Sequence, residues 1–579
     1  MRSSLRCTIL LFALLLLPAI AAGQTIIYVD GSNASGTEDG DSWSTAYMSL
    51  HDAIADPDAT GSSASNTEIW IAEGVYTPTD DGDIANTNRD PSFTITGNQD
   101  GLEIYGGFES GDAFSDRSPS EHPVVLSGDI DDNDNNKTAY GVTPAASDIV
   151  GGNSYHVLVL NAGTAIGPNV SDNVTGATVL DGLTVTGGSA DGSSPNDRGG
   201  GLFCDGQSTG NECSPTIRRV AFSGNKAGAG GAIFNAAGPD GKSSPTIDNA
   251  IFSGNTGSLG GAIHNAGNQS GTTNPSIRGT VFSNNSADGG GAIYNNGSSG
   301  SSHATIINST FSQNSAQDGG AILTVGTSSS SNPVIKNTIL WGNKASNSGD
   351  EVYNVSASPT FLHSIVQGSG GSSAWDSGVG TDGGGNLDAD PKFFTASNPD
   401  GLDNRFATSD DGLRLVDTSP ALDTGDNNFV PSGVTTDLTG APRIQNGTVD
   451  LGAYEGGVAR VLHVDAATGA DGNTGTSWSS PFATLTKALA VATGNDEIWI
   501  AEGAYTPTDA AGIASSNRGA SFTITGNQDG LEIYGGFENG DAFPDRSPSE
   551  HPVVLSGDID NNDNNKTADG VTPTASDIA

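Results

Sequence analysis

Apolar residues in the middle of the chain recur at fixed positions, in short runs separated by turns. The stretch FSGNKAGAGGAIFN starts at Phe222, and close copies start at Phe252 and Phe282. The register continues to Phe311 and Leu340, so the period is 30 residues and then 29. Such self-similarity indicates a repeat architecture in which each unit is one supersecondary element.

Each unit has too few apolar side chains to form a core alone. In PTIRRVAF, Val220 and Phe222 alternate as on a strand, while Ile217 is out of step, which predicts a corner near Arg218 and Arg219. Stacking the units buries these side chains between layers, each contributing about 1.5–3 kcal/mol. A period near 30 with strands and no helix predicts an all-β fold, a right-handed parallel β-helix.

Several positions keep their register from unit to unit and predict ladders along this β-helix. The recurring asparagines suit inward amide ladders at the turns, and the glycines of the GGAI motif suit backbone with positive φ. The isoleucine positions are Ile217, Ile247, Ile277, Ile306 and Ile335. The phenylalanine and asparagine positions are Phe222, Phe252, Phe282 and Phe311, and Asn225, Asn255, Asn285, Asn314 and Asn343.

A second, longer repeat links the two ends of the chain. Residues 68–150 align without gaps with residues 497–579, and 69 of the 83 positions are identical. A new module is therefore expected to begin near Arg460, and we interpret it as a truncated copy. The predicted division is a signal peptide (1–23), an N-terminal cap with the first coils (24–155), coils with ~30-residue repeats (156–360), last coils and a closing region (361–457), and the truncated second copy (458–579).

The N-terminus has the features of a secretory signal peptide. Arg2 and Arg6 precede an apolar run from Ile9 to Ile20, which is followed by small residues at 21–23. No later segment is predicted to span a membrane as a helix. The segment SLHDAIAD, residues 49–56, has a modest helical pattern and could cap the open end of the coils.

The mature chain keeps two cysteines, Cys204 and Cys213. In an oxidising compartment they could close the small loop CDGQSTGNEC with a disulfide. Two unpaired thiols are the alternative, and the sequence leaves both open.

The formal net charge is −45, from 67 acidic and 22 basic side chains. A surface this acidic repels nucleic acid and anionic membranes, so neither is an expected partner. It attracts divalent cations, which directs the search for sites to the acidic loops.

The segment DIDDNDNN places oxygen ligands at alternate positions, a pattern that suits Ca²⁺. The EF-hand pattern is incomplete, because Gly at the sixth position and Glu at the twelfth are missing, and a solvated acidic turn is the alternative. No other cofactor is expected. The candidate ligands are Asp129, Asp131, Asn133 and Asn135, with Asp558, Asp560, Asn562 and Asn564 in the second copy.

Four charged residues near the end of the first module form a further candidate cluster: Asp437, Arg443, Asp450 and Glu455. We expect ion pairs with a structural role in the closing region. No Ser-His-Asp grouping, zinc-ligand spacing or phosphate loop is present in the sequence, so no catalytic residue is assigned. His264 occupies the repeat position of Phe234 and Tyr294, which predicts a stacked side chain.

The FSGN and GGAI units resemble the polymorphic outer membrane protein repeats of chlamydiae, which are defined by GGAI and FxxN tetrapeptides. The resemblance covers roughly residues 199–343. The flanks, with YVDGSNASGTEDGDSWSTAY, IWIAEGVYTPT and LSGDIDDND, resemble bacterial secreted proteins of the pectin-lyase-like superfamily. The segment DLTGAPRIQNGTVDLGAYE resembles the closing region before varied C-terminal surface anchors. The resemblance implies a right-handed β-helix exported to the cell envelope, the outer membrane surface or the medium.

Two functions remain open. The first is a non-enzymatic surface protein, an adhesin or envelope component that binds polysaccharide or a host or neighbouring cell surface. Near-identical coils favour it, because an active site requires one coil to differ from the others. The second is a polysaccharide lyase or glycoside hydrolase acting on acidic polysaccharide, for which Arg218 or Lys226 would be the basic residue. Fold alone does not decide between them.

Overall fold

The structure is a computed structural model that describes residues 24–60, 66–80, 88–161, 173–207, 209–327, 331–401, 403–408, 410–458, 461–492, 496–507, 517–524 and 531–558. The predicted signal peptide lies outside these residues. Three long parallel sheets run side by side through the first module, and neighbouring strands within each sheet are one coil apart in sequence. Ile217 pairs with Ile247, and Ile247 pairs with Ile277. The fold is a right-handed parallel β-helix, as predicted.

Strand numbers follow the chain, whereas the order within each sheet is spatial. Sheet 1 contains β1 (Thr25–Val29), β2 (Thr67–Ala72), β5 (Glu103–Phe108), β8 (Val179–Asp181), β12 (Thr216–Arg218), β16 (Thr246–Asp248), β20 (Ser276–Arg278), β23 (Thr305–Ile307), β27 (Val334–Lys336), β31 (Thr360–Leu362) and β33 (Thr381–Asp382). Sheet 2 contains β3 (Gly74–Tyr76), β6 (Val124–Ser127), β9 (Leu183–Thr186), β13 (Ala221–Ser223), β17 (Ile251–Ser253), β21 (Val281–Ser283), β24 (Thr310–Ser312), β28 (Ile339–Leu340) and β32 (Ile365–Val366). Sheet 3 contains β4 (Phe93–Thr96), β7 (Leu158–Asn161), β11 (Leu202–Gly206), β15 (Ile233–Ala237), β19 (Ile263–Gly267), β22 (Ile293–Asn296), β26 (Ile322–Val325) and β30 (Val352–Val355).

Shorter elements complete the described part of the chain. A side sheet between sheets 2 and 3 contains β10 (Ser189–Ala190), β14 (Lys226–Ala229) and β18 (Thr256–Leu259), and continues as the pair β25 (Ser315–Asp318) and β29 (Lys344–Ser348). The remaining strands are β34 (Leu415–Val416) with β35 (Gly457–Val458), β36 (Val461–Val464) with β37 (Glu497–Ala501) and β39 (Glu532–Phe537), and β38 (Gly503–Tyr505) with β40 (Val553–Leu555). The helices are α1 (Leu50–Ala55) and α2 (Leu485–Val491). Short 3-10 helices lie at Trp43–Thr45, Pro57–Ala59, Gly97–Gln99, Phe114–Asp116, Ala146–Asp148, Asn427–Phe429 and Phe543–Asp545.

Each repeat turns at three residues with left-handed backbone. The predicted corner near Arg218 is confirmed, because Arg219 has φ of 49°. The corners from sheet 1 to sheet 2 are Arg219, Asn249, Gly279, Asn308 and Asn337. The corners from sheet 2 to the side sheet are Gly224, Gly254, Asn284, Gln313 and Gly342, and those into sheet 3 are Gly230, Gly260, Gly290, Gly319 and Gly349.

The GGAI motif follows from the geometry of the last corner. Gly230 has φ of 61°, and a Cβ there would lie 2.1 Å from the carbonyl oxygen of Ile233. A Cβ on Gly231 would lie 2.2 Å from the carbonyl oxygen of Gly261 in the next coil. Ala232 and Ile233 follow with fully buried side chains. The first glycine therefore permits the turn, and the second permits the close approach of two coils.

The FxxN motif forms the predicted ladders inside the coils. The rings of Phe222, Phe252, Phe282 and Phe311 stack with centroids 5.1, 4.8 and 4.4 Å apart. In the asparagine ladder, each side-chain amide donates to the Oδ1 of the asparagine in the next coil, at 2.8–3.1 Å from Asn225 to Asn343. The same Oδ1 also accepts the backbone N–H of the preceding asparagine. These buried amides are therefore satisfied by one another.

The N-terminal segment supplies the predicted helix. The hydroxyl of Ser49 accepts the N–H of His51 at the start of α1. Leu50, Ala53 and Ile54 of this helix are buried in the main core. The helix thus covers apolar side chains of the first coils, whereas the domain boundaries themselves stay a prediction.

The second module repeats the local structure of the first. Glu497 pairs with Glu532 as Glu68 pairs with Glu103. The Trp499 and Phe537 rings stack at 4.9 Å, and the equivalent rings of the first module stack at 4.8 Å. The two copies differ in burial, because β8 and β9 cover β5 and β6 in the first module. Leu555 of the second module is 55% exposed.

Candidate binding face

The closing region covers the outer side of sheet 2. Ile251 and Val281 on that side pack against Leu413, Leu438 and Tyr454, in a cluster separate from the main core. A second such cluster joins sheet 2 to the closing region further along the β-helix. Much of the outer side of sheet 2 is therefore unavailable to a ligand.

The corner asparagines hold the closing region in place. The side-chain amides of Asn249 and Asn308 donate to the carbonyl oxygens of Asp437 and Asp450, at 3.1 and 3.2 Å. Asn337 exchanges two bonds with Asp426, one from each residue, at 3.1 and 2.9 Å. The asparagines at these left-handed corners thus turn the chain and also donate hydrogen bonds to the closing region.

The four predicted ion-pair residues of the closing region lie together and are buried. Arg443 donates to Glu455 at 2.6 Å, and both side chains are at most 1% exposed. Asp437 and Asp450 accept backbone N–H groups of Glu455 and Gly456. Burial raises the pKa of Glu455 to about 7, although Arg443 opposes the shift. The arrangement holds the closing region together and lies away from any open surface.

Sheet 1 presents a half-exposed outer side with a row of charged residues. The carboxylate of Asp181, which is buried, binds Arg219 through two bonds of 2.9 and 2.8 Å and Arg117 at 2.9 Å. The Nε of Arg218 lies 3.1 Å from the same carboxylate. Arg218, one of the two basic residues considered for a lyase, is therefore held in an ion pair.

Lys226, the other basic residue considered for a lyase, lies on a different sheet. It is exposed at the start of β14 in the side sheet, whereas Arg218 ends β12 in sheet 1. The two do not share a site. Lys226 is therefore not part of the charged cluster that surrounds Asp181.

The outer side of the side sheet forms a polar row along the coils, called here the polar face. Its members are in register and are Lys226, Thr256, Ser286, Ser315 and Lys344. The hydroxyls of Thr256 and Ser286 lie 2.9 Å apart. In the neighbouring row, Gln317 donates to Asp288 at 2.7 Å. The polar face therefore continues in register through five coils, with a hydroxyl residue in each of the three central coils and a lysine in the first and the last.

A second row of polar side chains forms hydrogen bonds between neighbouring coils. Where each coil re-enters sheet 1, the N–H of one coil donates to a side chain of the coil before it. Asn274 accepts from His303 at 2.8 Å, and His303 Nδ1 accepts from Asn332 at 3.0 Å. Ser214 and Ser244 act in the same way in earlier coils. These side chains are structural acceptors, which leaves the polar face as the better candidate for contact with a ligand.

His264 lies between Phe234 and Tyr294 in the row that its repeat position predicts, but its ring contacts are edge-to-face rather than stacked. Its ring lies 4.9 Å from that of Phe234 and 4.7 Å from that of Tyr294. Burial lowers the pKa of His264 to about 3, with a smaller effect from Arg198. The imidazole is therefore neutral at physiological pH.

The predicted calcium loop is internally hydrogen-bonded. The Asp129 carboxylate accepts the Lys137 ammonium at 2.8 Å and the backbone N–H groups of Asn133 and Asp134 at 3.0 and 3.2 Å. Asp131 accepts the side-chain amide of Asn133 at 2.9 Å. Among the residues covered by the structure, no group of three or more acidic, histidine or cysteine side chains is arranged to hold a metal ion. Calcium binding stays a prediction, and Lys137 would compete with the ion.

The remaining predicted calcium ligands are divided between the two copies of the loop. In the first copy, Asn135 is exposed and donates its N–H to the carbonyl oxygen of Asp148 at 2.8 Å. In the second copy, Asp558 is the last described residue, and its N–H donates to the hydroxyl of Ser556 at 3.2 Å. The other ligands predicted there, Asp560, Asn562 and Asn564, lie outside the described residues.

Cys204 and Cys213 form a disulfide in the structure, with Cα atoms 5.7 Å apart. Cys204 lies in register with Asn235, the first residue of a second buried amide row. That row continues to Asn265 and Asn295 with bonds of 2.8 Å. Cys204 of the disulfide therefore occupies, one coil earlier, the position that Asn235, Asn265 and Asn295 occupy in the later coils.

Asp134 and Glu351 are among the buried carboxylates that were not anticipated from the sequence. Asp134 lies among the predicted calcium ligands but out of step with them, and it accepts bonds from Thr143, Asn153 and Val150. Glu351 lies at the end of the asparagine ladder, in the position of the GGAI alanine. Its signal in the sequence is the replacement of that alanine in GDEV.

Comparison with known protein families locates the repeats. Residues 219–236, 279–296 and 308–325 each match the Chlamydia polymorphic membrane protein repeat. This chain is a β-helix that carries polymorphic membrane protein repeats. Residues 467–567, in the second module, match a family described as protein of unknown function (DUF1565). The three matched segments are three of the four units in which FxxN and GGAI were recognised, those with Phe222, Phe282 and Phe311.

Similarity to individual proteins is weak. No curated protein matches the chain. Among solved structures, the crystal structure of pectate lyase Pel9A aligns with 14% sequence identity and a TM-score of 0.36, over 74% of this chain and 96% of that chain. In the part of the chain that the structure describes, no helix is long and apolar enough to cross a membrane.

Proposed function

We propose that the protein is a non-enzymatic, exported surface protein, located at the cell envelope or outer membrane surface, whose β-helix presents the polar face to glycans or to another cell surface. The single observation that carries the proposal is the uniformity of the coils. The polar face runs in register from Lys226 to Lys344, and none of its five residues is a carboxylate or a histidine that could serve a reaction centre. Repeats of the polymorphic membrane protein type support a surface location.

The positions of the basic residues support a binding role over catalysis. Arg218 is engaged by the buried Asp181, and Lys226 lies on the side sheet. A lyase requires a base beside groups that neutralise a uronate, positioned around one sugar ring. The described residues bring neither basic residue into such a setting.

The test uses the purified full chain on a panel of neutral and acidic polysaccharides. We would follow retention of the protein on the polymer, and reducing-end or unsaturated product in the same samples. Retention without product is expected. Product formation would overturn the proposal in favour of a lyase or hydrolase.

A pair of variants links retention to the polar face. Thr256→Ala with Ser286→Ala removes the hydroxyl pair at the centre of the face. Ser298→Ala with Ser299→Ala makes a similar chemical change at exposed positions between sheets 3 and 1. Weaker retention of the first variant alone is expected, and equal retention of both would exclude the polar face as the contact.

A further inference from the structure

A cleft of about 810 Å³ opens beside the first strands of sheet 2, and none of the residues that line it belongs to the polar face. Its walls are formed by β3, the end of β6 and the loop from residue 129 to 141. This volume lies in the range of small-molecule sites. Residues that line it include Val75, Asp80, Asp129, Asp132, Lys137 and Tyr140.

The floor of the cleft is a fixed acceptor group. The Asp129 side chain is 2% exposed, and Lys137 with two backbone N–H groups fixes its orientation. Asp80 is fixed in the same manner, because its carboxylate accepts the N–H of Thr77 at 2.5 Å and the hydroxyl of Thr77 at 2.6 Å. Of these two carboxylates, Asp80 is the exposed one, and because its orientation is already fixed it needs little ordering when a ligand binds.

The wall of the cleft is apolar and accessible. Tyr140 is 44% exposed and Val75 is 49% exposed. The guanidinium of Arg405, from the closing region, lies 4.9 Å from the centre of the Tyr140 ring and supports it. An exposed aromatic ring beside fixed carboxylates suits a ligand with an apolar side and several hydroxyl donors.

The charge of the cleft narrows the ligand class. Glu73, Asp80, Asp129 and Asp132 line it together with the cation Lys137, which already binds Asp129 and Asp132. A uronate or sulfated sugar would meet excess negative charge there, in a chain whose net charge is −45. Hydroxyl groups of an uncharged sugar can donate to the exposed carboxylates of this set, Asp80 and Asp132.

From this geometry we infer that the cleft is a binding site for neutral sugar units of a glycan. The inference rests on the proposed function and gives it a ligand class. The sugar lies against Tyr140 with its apolar side, and its hydroxyls donate to Asp80 or Asp132, the exposed carboxylates of the cleft. The acidic polysaccharides considered for a lyase are disfavoured at this site.

The second module provides an internal comparison at the level of sequence. In the gap-free alignment, Ala504 corresponds to Val75, and Asp569 corresponds to Tyr140. Asn561 corresponds to Asp132, whereas the counterparts of Asp129 and Lys137 are unchanged. The second copy thus keeps the floor and replaces the wall, so binding is assigned to the first copy.

The test measures binding of uncharged oligosaccharides, such as gluco-, manno- and xylo-oligosaccharides, to the full chain by calorimetry. Polygalacturonate and alginate oligosaccharides form the acidic arm. Tyr140→Asp installs the residue of the second copy, and a loss of about tenfold or more in affinity is expected. Phe394→Asp is the matched control, because Phe394 is a similarly exposed aromatic side chain outside the cleft.

A second variant separates the ring from its support. Arg405→Gln removes the cation over Tyr140 and leaves the cleft residues unchanged, so a smaller loss is expected. Unchanged affinity in Tyr140→Asp, or tighter binding of the acidic arm, would overturn the inference. If polysaccharide retention persists while Tyr140→Asp has no effect, the cleft assignment fails and the proposed function stands. If no polysaccharide retains the full chain, both fail.

Discussion

Asn343 donates both its backbone N–H and its side-chain amide to the carboxylate of Glu351, at 3.3 and 2.5 Å. In every earlier step of the asparagine ladder, the acceptor for these two donors is the Oδ1 of the next asparagine. Glu351 comes from another position of the coil and reaches to the place that a sixth asparagine would fill. The ladder therefore ends on a carboxyl group that serves as the acceptor for both donors.

The terminal acceptor carries an electrostatic cost. Burial raises the pKa of Glu351 to about 8 from an ordinary value of 4.5, although bonds from Asn343 oppose the shift. The folded protein therefore binds a proton that the unfolded chain releases between those two pH values. Stability from this group is complete below pH 4.5 and is lost as the pH rises through about 8.

Glu351→Gln is expected to flatten the dependence of stability on pH between about 5 and 8. At a pH of about 5 the variant is less stable by about 1 kcal/mol, because glutamine offers one oxygen to two donors. Above a pH of about 8 it is more stable than the parent chain, because no charge is buried. Thermal unfolding midpoints across this range provide the measurement.

Glu121→Gln serves as the control for that experiment, since Glu121 is exposed. Burial also raises the pKa values of Asp411 and Glu455 to about 7. Both groups therefore make the protein less stable as the pH rises, and this part of the pH dependence remains in Glu351→Gln. Parallel curves for the parent and Glu351→Gln would contradict the role given to Glu351.

Asn285→Ala is expected to lower the free energy of unfolding by about 2–4 kcal/mol. The change leaves the backbone and side-chain donors of Asn255 without their acceptor, and each unsatisfied buried group costs about 1–3 kcal/mol. Asn284→Gly is a control one residue away. Asn284 is exposed with φ of 56°, so glycine should change stability by less than about 0.5 kcal/mol. Equal urea midpoints for the two variants would refute the ladder's contribution.

The repeats made much of this fold predictable. The spacing of Phe222 and Asn225 in successive units led directly to the stacked rings and the amide ladder, because identical residues in register must meet in neighbouring coils. Ile217 is out of step with the alternation of Val220 and Phe222, and this break in the pattern predicted the corner at Arg219. Regular periodicity thus carries information about packing even where single strands are only three residues long.

Features without a repeat were beyond such reasoning. The position of Glu351 depends on a side chain that crosses from one part of the coil to another, and nothing in the local pattern indicates that reach. The contact of the closing region with the corner asparagines joins residues such as Asn308 and Asp450 that lie far apart in sequence. The cleft depends on the path of the 129–141 loop, which the alternating Asp and Asn positions did not reveal.

The Cys204–Cys213 disulfide gives a prediction about the redox state of the protein. Peptide mapping without reductant is expected to recover the two cysteines in one linked fragment. A closed loop of this size contributes about 2–3 kcal/mol in the loop-entropy description. Reduction should therefore lower the thermal midpoint of the parent chain and leave that of Cys204→Ala with Cys213→Ser unchanged. Recovery of two free thiols from the purified protein would favour the alternative of two unpaired cysteines.

The buried pair of Arg443 and Glu455 predicts how the closing region is secured. Arg443→Ala leaves the Glu455 carboxylate buried without its 2.6 Å partner, a change that costs about 3–5 kcal/mol in other proteins. Loosening of this segment should expose Ile251 and Val281 of sheet 2, which it covers. We expect the variant to be cleaved between residues 410 and 458 faster than the parent chain is. Within the variant, cleavage in the repeats should be slower than cleavage in this segment. Arg414→Ala, in the same region, tests whether any lost arginine has this effect. Uniform cleavage along the chain would mean that the closing region and the coils unfold together.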